Sequence, residues 1–224
     1  MREAGAGRGD RVGAVAEDAS GAVGTRQERK RRTRQALLDS ALRLLADTSL
    51  AGLSLREVTR EAGIVPTAFY RHFPSIGELG VALVEESMRT LRAMLRSARR
   101  KPADDAIRGS VAILVQQVGR SPSHFRFLIR ERYGGVAEVR KSIAGELRLL
   151  GSELATDLAR YPGMADWDAD DLRMVADLMV GAMLSVVTAL LDVSGDPRAE
   201  AEVVSVAEQQ LRLIALGMAH WRRP

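Results

Sequence analysis

Apolar residues recur along most of this chain at three- and four-residue spacing, the period of helices that bury one face. Ala36, Leu37, Ala41, Leu44 and Leu45 trace a first such face, and Ala51-Gly52 ends it. Ser54 followed by Glu57 is a capping box, in which hydroxyl and carboxylate satisfy each other's orphan backbone donors, and it predicts a short helix ending near Ala62. Gly63 supplies a tight turn. A second short helix is expected from about Val65 to His72, with Pro66 tolerated in a first turn that has no intrahelical donor to lose. Pro74 ends that helix, and Ser75 with Glu78 repeats the capping pattern at the head of a long one reaching about Lys101. Pro102 with Asp104, Ser121-Pro122, Gly134-Gly135, Tyr161-Pro162-Gly163 and Gly195-Asp196-Pro197 punctuate the remainder into segments of bundle-helix length. No stretch alternates with the period of a strand. The expected fold is all-α, with about nine helices. Residues 1–24, rich in Gly and Ala and lacking an amphipathic period, read as a flexible tail.

Composition narrows the class. A chain of 224 residues with 46% hydrophobic content supplies a sizeable core and reads as globular. It has no cysteine, which removes disulfides, thiolate metal sites and thiol nucleophiles. The start lacks the continuous apolar stretch of a secretory signal, so a cytoplasmic location is expected. The longest uncharged apolar run, Leu178 to Leu191, is 14 residues, short of the ~20 a bilayer span requires, and no membrane association is expected. Net charge is only +4, yet Arg26, Arg29, Lys30, Arg31, Arg32 and Arg34 crowd one segment against the single acid Glu28. Such a cluster favours a polyanionic partner through counterion release, although many basic runs are simply solvated surface.

The stretch Ser54 to Phe73 carries the most information. Leu55, Val58, Ala62, Ile64, Phe69 and Phe73 form its apolar side, and Thr67, Tyr70, Arg71 and His72 are left outward. Two short helices joined at a glycine are the geometry that sets a second helix into the major groove of DNA. Ala62-Gly63-Ile64 followed by Phe69-Tyr70-Arg71-His72-Phe73 resembles the TetR family of regulators over residues 30 to 80 or so. The resemblance implies a helix-turn-helix DNA-binding domain at 25–74 and an effector-binding and dimerisation domain at 75–224. It also implies base contacts from Pro66 and Thr67, phosphate contacts from Tyr70 and His72, and backbone contacts from Ser54 and Arg56, with Arg71 and Arg32 beside them. One departure is Ile76, which stands where many members carry a lysine at the head of the fourth helix; the N-terminal arginines are the replacement anchor.

Phe125-Arg-Phe-Leu-Ile-Arg-Glu-Arg132, Val84-Glu-Glu-Ser87 and the Leu-Ile-Ala-Leu-Gly-Met-Ala-His-Trp ending are similar to the FabR/DesT type of repressor of unsaturated fatty acid synthesis. That similarity implies a long-chain acyl-CoA or acyl carrier protein as effector and a pseudo-palindromic duplex operator bound by a homodimer. Phe125, Leu128, Arg130, Met179 and Met183 are the candidate ligand residues. Arg126, Arg130, Arg132 and Lys141 suit coenzyme A phosphates, although Arg130, Glu131 and Arg132 equally suit a salt-bridge network between domains. An unrelated apolar effector of an efflux or catabolic operon is the alternative.

Enzymatic readings fail on their own motifs. Gly52-Leu-Ser-Leu-Arg56 lacks the final glycine of a nucleophile elbow, and Gly5-Ala-Gly-Arg-Gly-Asp10 lacks the third glycine of a dinucleotide fingerprint. Asp166-Trp-Asp-Ala-Asp170 has no glycine or glutamate where a calcium loop needs them; Asp168 as an N-cap with Asp171 at the third position explains these acids better. His72, His124 and His220 lack paired zinc-ligand spacing. No catalytic residue, metal or cofactor is expected.

Overall fold

The computed structural model describes residues 13–98, 103–161, 163, 164 and 166–221. The first twelve residues of the expected tail, and Pro102 and Pro162 of the expected breaks, lie outside the described residues. The described chain is all-α: α1 Gly13–Leu44, a single 3-10 turn at Leu50–Gly52, α2 Leu55–Glu61, α3 Pro66–Phe69, α4 Ile76–Ala98, α5 Ala103–Arg120, α6 Pro122–Glu131, α7 Ala137–Leu158, α8 Ala169–Asp192 and α9 Pro197–His220. Gly63, Pro74, Ser121, Gly134-Gly135, Tyr161, Gly163 and Gly195-Asp196 fall between helices, Pro122 and Pro197 open α6 and α9, Ala51-Gly52 lies in the 3-10 turn, and Asp104 lies within α5.

Helix α1 begins at Gly13, well inside the stretch read as a tail, and runs for 32 residues. Residues 25–32 of this helix are exposed. An exposed polar segment carries no apolar stripe to read. From Leu37 onward the helix is anchored: Leu37, Leu38, Ala41 and Leu45 are buried against Leu53, Val58, Phe69, Phe73 and Leu79.

The capping chemistry is realised. Ser54 Oγ accepts the Glu57 amide at 3.3 Å while Glu57 Oε2 accepts the Ser54 amide at 2.9 Å, and Asp168 accepts from Asp171 N–H at 2.8 Å to open α8. At Gly63 φ is +65°, a left-handed conformation that β-carbon sterics disfavour, which is why the α2–α3 turn uses glycine. The second helix is shorter than expected. Only four residues are α-helical; Tyr70, Arg71 and His72 follow in a tighter turn, with Arg71 and His72 donating to Ala68 and Phe69 carbonyls three residues back.

The remaining helices form a bundle in which α7 packs on α4 and α8, and α9 packs on α8 and α5. Helix α8 is long and apolar enough by length and composition to cross a bilayer, with mean hydropathy 2.1 and one-third (33%) of the window buried. The uncharged run of 14 residues understates it because the helix extends back past Asp177 and Arg173 to Ala169. Its Leu172, Val175, Ala176, Val180, Val186, Val187 and Leu190 face the protein interior.

Helix α6 ties the bundle to the N-terminal helices. Arg130, exposed on α6, donates to the carbonyls of Leu45 at 2.8 Å, Thr48 at 2.7 Å and Ala46 at 3.3 Å, which are orphan acceptors beyond the end of α1. Its neighbour Glu131, 1% exposed, accepts the Leu50 amide at 2.9 Å. Replacing Glu131 by Ala leaves that buried amide unpaired, at a cost of about 1–3 kcal/mol. We expect a lower melting temperature and faster amide exchange at Leu50; unchanged exchange there would refute this role for Glu131.

Candidate nucleic-acid interface and effector cavity

The outer face of the N-terminal helices presents Ser54, Arg56, Pro66, Thr67, Tyr70 and Arg71, all exposed, with Tyr70 at 63%. Beneath them Phe69 is fully buried and Phe73 is 2% exposed, their rings 5.7 Å apart. This burial fixes the short helix from below and turns Thr67 and Tyr70 outward. Arg34 of α1 holds the far end, its guanidinium 4.3 Å from the Phe73 ring centroid and donating to the His72 carbonyl at 3.3 Å. In the sequence Arg34 is only one of a basic run, and its spacing from Phe73 carries no local signal.

An open groove runs between residues 26–33 of α1 and the end of the α3 turn. Arg26, Gln27, Arg29, Lys30, Thr33, Arg71 and His72 line it. Among the described residues, none of Arg26, Arg29, Lys30 and Arg71 is paired with a carboxylate. Arg32 is exposed on α1 outside this lining. Partial burial, together with the cations Lys30, Arg34 and Arg71, holds the His72 imidazole below its ordinary pKa, and its Nδ1 is buried without a partner. Ile76 is half-buried against the core, so the head of α4 offers no side-chain donor at that position.

Of the candidate ligand residues, Phe125, Leu128 and Met183 line one apolar cavity of about 40 Å³ with Met88, Leu91 and Ile143. Arg132 reaches its edge. Met179 lies outside this lining, half-buried between the main core and a smaller cluster around Leu172 and Val175. Arg130 is directed elsewhere, onto the α1 carbonyls, because α6 presents successive residues to different sides. Arg126 and Lys141 are exposed. Near the α4–α6 contact, Ser87 Oγ and His124 Nδ1 lie 2.8 Å apart. Burial pushes the His124 pKa down against the opposing pull of Glu86 and Asp39.

A short helix pair with an outward cationic face, continuous through one core with an all-helical bundle, defines a helix-turn-helix regulator. Residues 37–83 match the profile described as bacterial regulatory proteins, tetR family, and residues 103–217 match the tetracyclin repressor-like C-terminal domain. The chain belongs to the TetR family. Among solved structures it is similar to the fatty acid degradation regulator FadR from Bacillus halodurans, at 17% identity and TM-score 0.67 over 80% of this chain and 94% of that one. A transcriptional regulator from Rhodococcus sp. Rha1 matches at 17% identity and TM-score 0.66, covering 85% and 99%. FadR from Bacillus subtilis, solved in complex with stearoyl-CoA, matches at 14% identity and TM-score 0.62, covering 80% and 96%.

Both shifted imidazoles bind protons more weakly folded than unfolded, so unfolding takes up protons as pH falls through the ordinary histidine range. The stability they contribute is present above about pH 6.5 and is lost below it. We expect NMR titration midpoints for His72 and His124 below that value and a melting temperature that drops between about pH 7 and 5.5. A His72→Gln/His124→Gln variant should flatten the drop, and midpoints above the ordinary value would overturn the assignment.

Proposed function

We propose that this protein is a cytoplasmic, homodimeric, DNA-binding repressor of fatty acid desaturation or other lipid metabolism genes, released or engaged by a long-chain acyl-CoA or acyl carrier protein. The observation that carries the DNA half is the cationic groove beside exposed Thr67 and Tyr70. In this reading Pro66 and Thr67 meet base edges, while Tyr70, Arg71 and His72 meet phosphates. Ser54 and Arg56 hold the opposite backbone, and Arg32 with the groove cations follows the flanking phosphates.

The dimer reading rests on α8 and α9. Met174, Leu178, Leu213 and Leu216 are exposed there at 44%, 56%, 71% and 58%, large apolar side chains on two adjacent helices that a dimer partner would cover. Packed against their mates as a four-helix bundle, these helices would set two reading heads about 34 Å apart, one DNA turn, to read a pseudo-palindrome.

The effector reading rests on the cavity and on what α6 holds. At about 40 Å³ the cavity is smaller than the ~150 Å³ that accommodates benzene, so an acyl chain enters only by displacing its walls. Met88 and Met183 adapt readily to such a guest. Because α6 supplies Phe125 and Leu128 to the cavity and Arg130 and Glu131 to the head, displacement of α6 reaches the DNA-binding surface. Arg130 acts here as a clamp, with Met179 bordering the enlarged site. A ligand shifts head spacing only by its differential affinity for the two arrangements. The cavity's size also favours a second reading, a compact apolar effector of an efflux or catabolic operon.

Tyr70→Phe should weaken specific and random duplex binding alike, whereas Thr67→Ala should mainly erase the preference between them, by about 1–3 kcal/mol. Equal loss on both duplexes for Thr67→Ala would contradict the base-edge assignment. Oleoyl-CoA and palmitoyl-CoA should alter operator affinity in anisotropy titrations. No response to either, with intact DNA binding, removes the lipid reading and leaves the compact effector.

A further inference from the structure

We propose that Val65 reads a thymine, its side chain packing on the C5-methyl group in the major groove, which makes it a specificity-determining residue of the DNA-reading head. The inference rests on the DNA-binding reading above and names one feature of the sequence that head selects. Val65 is 64% exposed, although its neighbour Ile64 packs against the core and Phe69, one turn on, is fully buried. It occupies the N-cap of α3 with an extended backbone, φ −69° and ψ 142°, and makes no side-chain capping bond. Serine, threonine, aspartate and asparagine are strongly preferred at that position because their oxygen accepts an orphan amide; valine has nothing to offer one.

The chain caps better elsewhere. Ser54, Asp168 and Asp196 all accept amides at the starts of α2, α8 and α9. Val136 is also an uncapped valine, at the start of α7, but it is half-buried and packs against the core, which compensates. Val65 has no such compensation. Its carbonyl accepts the Ala68 amide at 2.9 Å, but its side chain gives the first turn no acceptor and holds branched apolar surface in water. A break of local rules without a compensating contact is the signature of a position selected for something outside the fold.

What lies outside is suggested by its neighbours, because Pro66, Thr67 and Tyr70 are exposed beside it. Every base-pair edge in the major groove is polar except for the thymine C5-methyl, the one group there that an aliphatic side chain complements. Valine's branched side chain is stiff at χ1, so it meets that methyl with little rotamer freedom to lose. Phosphates and sugars give it no partner. The contact therefore adds sequence preference without adding salt dependence.

The test uses the full chain and a duplex operator recovered by selection from random sequence, with binding followed by anisotropy at fixed salt. Val65→Ser supplies the missing cap and removes the aliphatic contact. Its melting temperature should rise while operator affinity falls about fourfold per half-site, with random duplex unaffected. Val65→Ala provides the same affinity comparison without the new cap. Replacing operator thymines one at a time with deoxyuridine removes only the methyl. One position in each half-site should weaken the wild-type protein by the same factor and leave Val65→Ser unchanged. A scan with no such position overturns the assignment, as does equal loss by Val65→Ser on random duplex. Failure to bind any duplex overturns the DNA-binding reading itself, and the two failures are distinct.

Discussion

A helix of four residues has no stability of its own, since nucleating even one turn is unfavourable in water. What holds α3 is the burial of Phe69 and Phe73 against α1 and the start of α4, reinforced by Arg34 stacked on the Phe73 ring. The orientation of every outward residue on the reading head follows from that burial. Turning Phe69 inward turns Thr67 and Tyr70 outward on a short, tightly wound segment. The glycine at Gly63 makes the approach possible, and the reciprocal cap at Ser54 fixes the preceding helix.

The same core continues into the bundle without a break, so the head is not an independent unit on a tether. Leu50, Leu79 and Leu83 belong to one cluster with Phe125, Phe127 and Val139. A side chain at Gly80 would collide with Leu50 and Val139 together, which shows how closely α4, α7 and the 3-10 turn converge. Onto this apolar contact Arg130 and Glu131 add hydrogen bonds to backbone groups that have no other partner in regular structure. Such bonds are directional, so a shift of α6 either carries the head along or breaks them.

Electrostatics divides the molecule along the same line. The middle of α1, with Arg26, Arg29 and Lys30, and Arg71 of the α3 turn bring cations together around a half-buried histidine, so like charges repel across the groove. The effector cavity is lined by apolar side chains, with Arg132 the charged residue of the lining. The two surfaces differ in character, a cationic groove at one end and an apolar cavity at the other. Helices α4 and α6 both touch the cavity and the head, and α6 adds the Arg130 and Glu131 hydrogen bonds.

Local chemistry was legible in the sequence because its signals are local. The capping box at Ser54, the N-cap at Asp168, the turn glycine at Gly63, prolines opening α6 and α9, and the 3.6-residue apolar period each depend on residues within a turn or two. They determined the all-helical class, most of the breaks between helices and the helix-turn-helix motif, but not where α1 begins or α3 ends. The extension of α1 to Gly13 was not legible, since that Gly- and Ala-rich stretch has no amphipathic period in its sequence. Only the tertiary structure decided which side of α6 Arg130 would face, that Arg34 would stack on Phe73 across 39 positions, and that the cavity would be as small as it is. Those outcomes depend on the packing of helices distant in sequence, where the partner of a side chain is fixed by the shape of the whole core rather than by its neighbours along the chain.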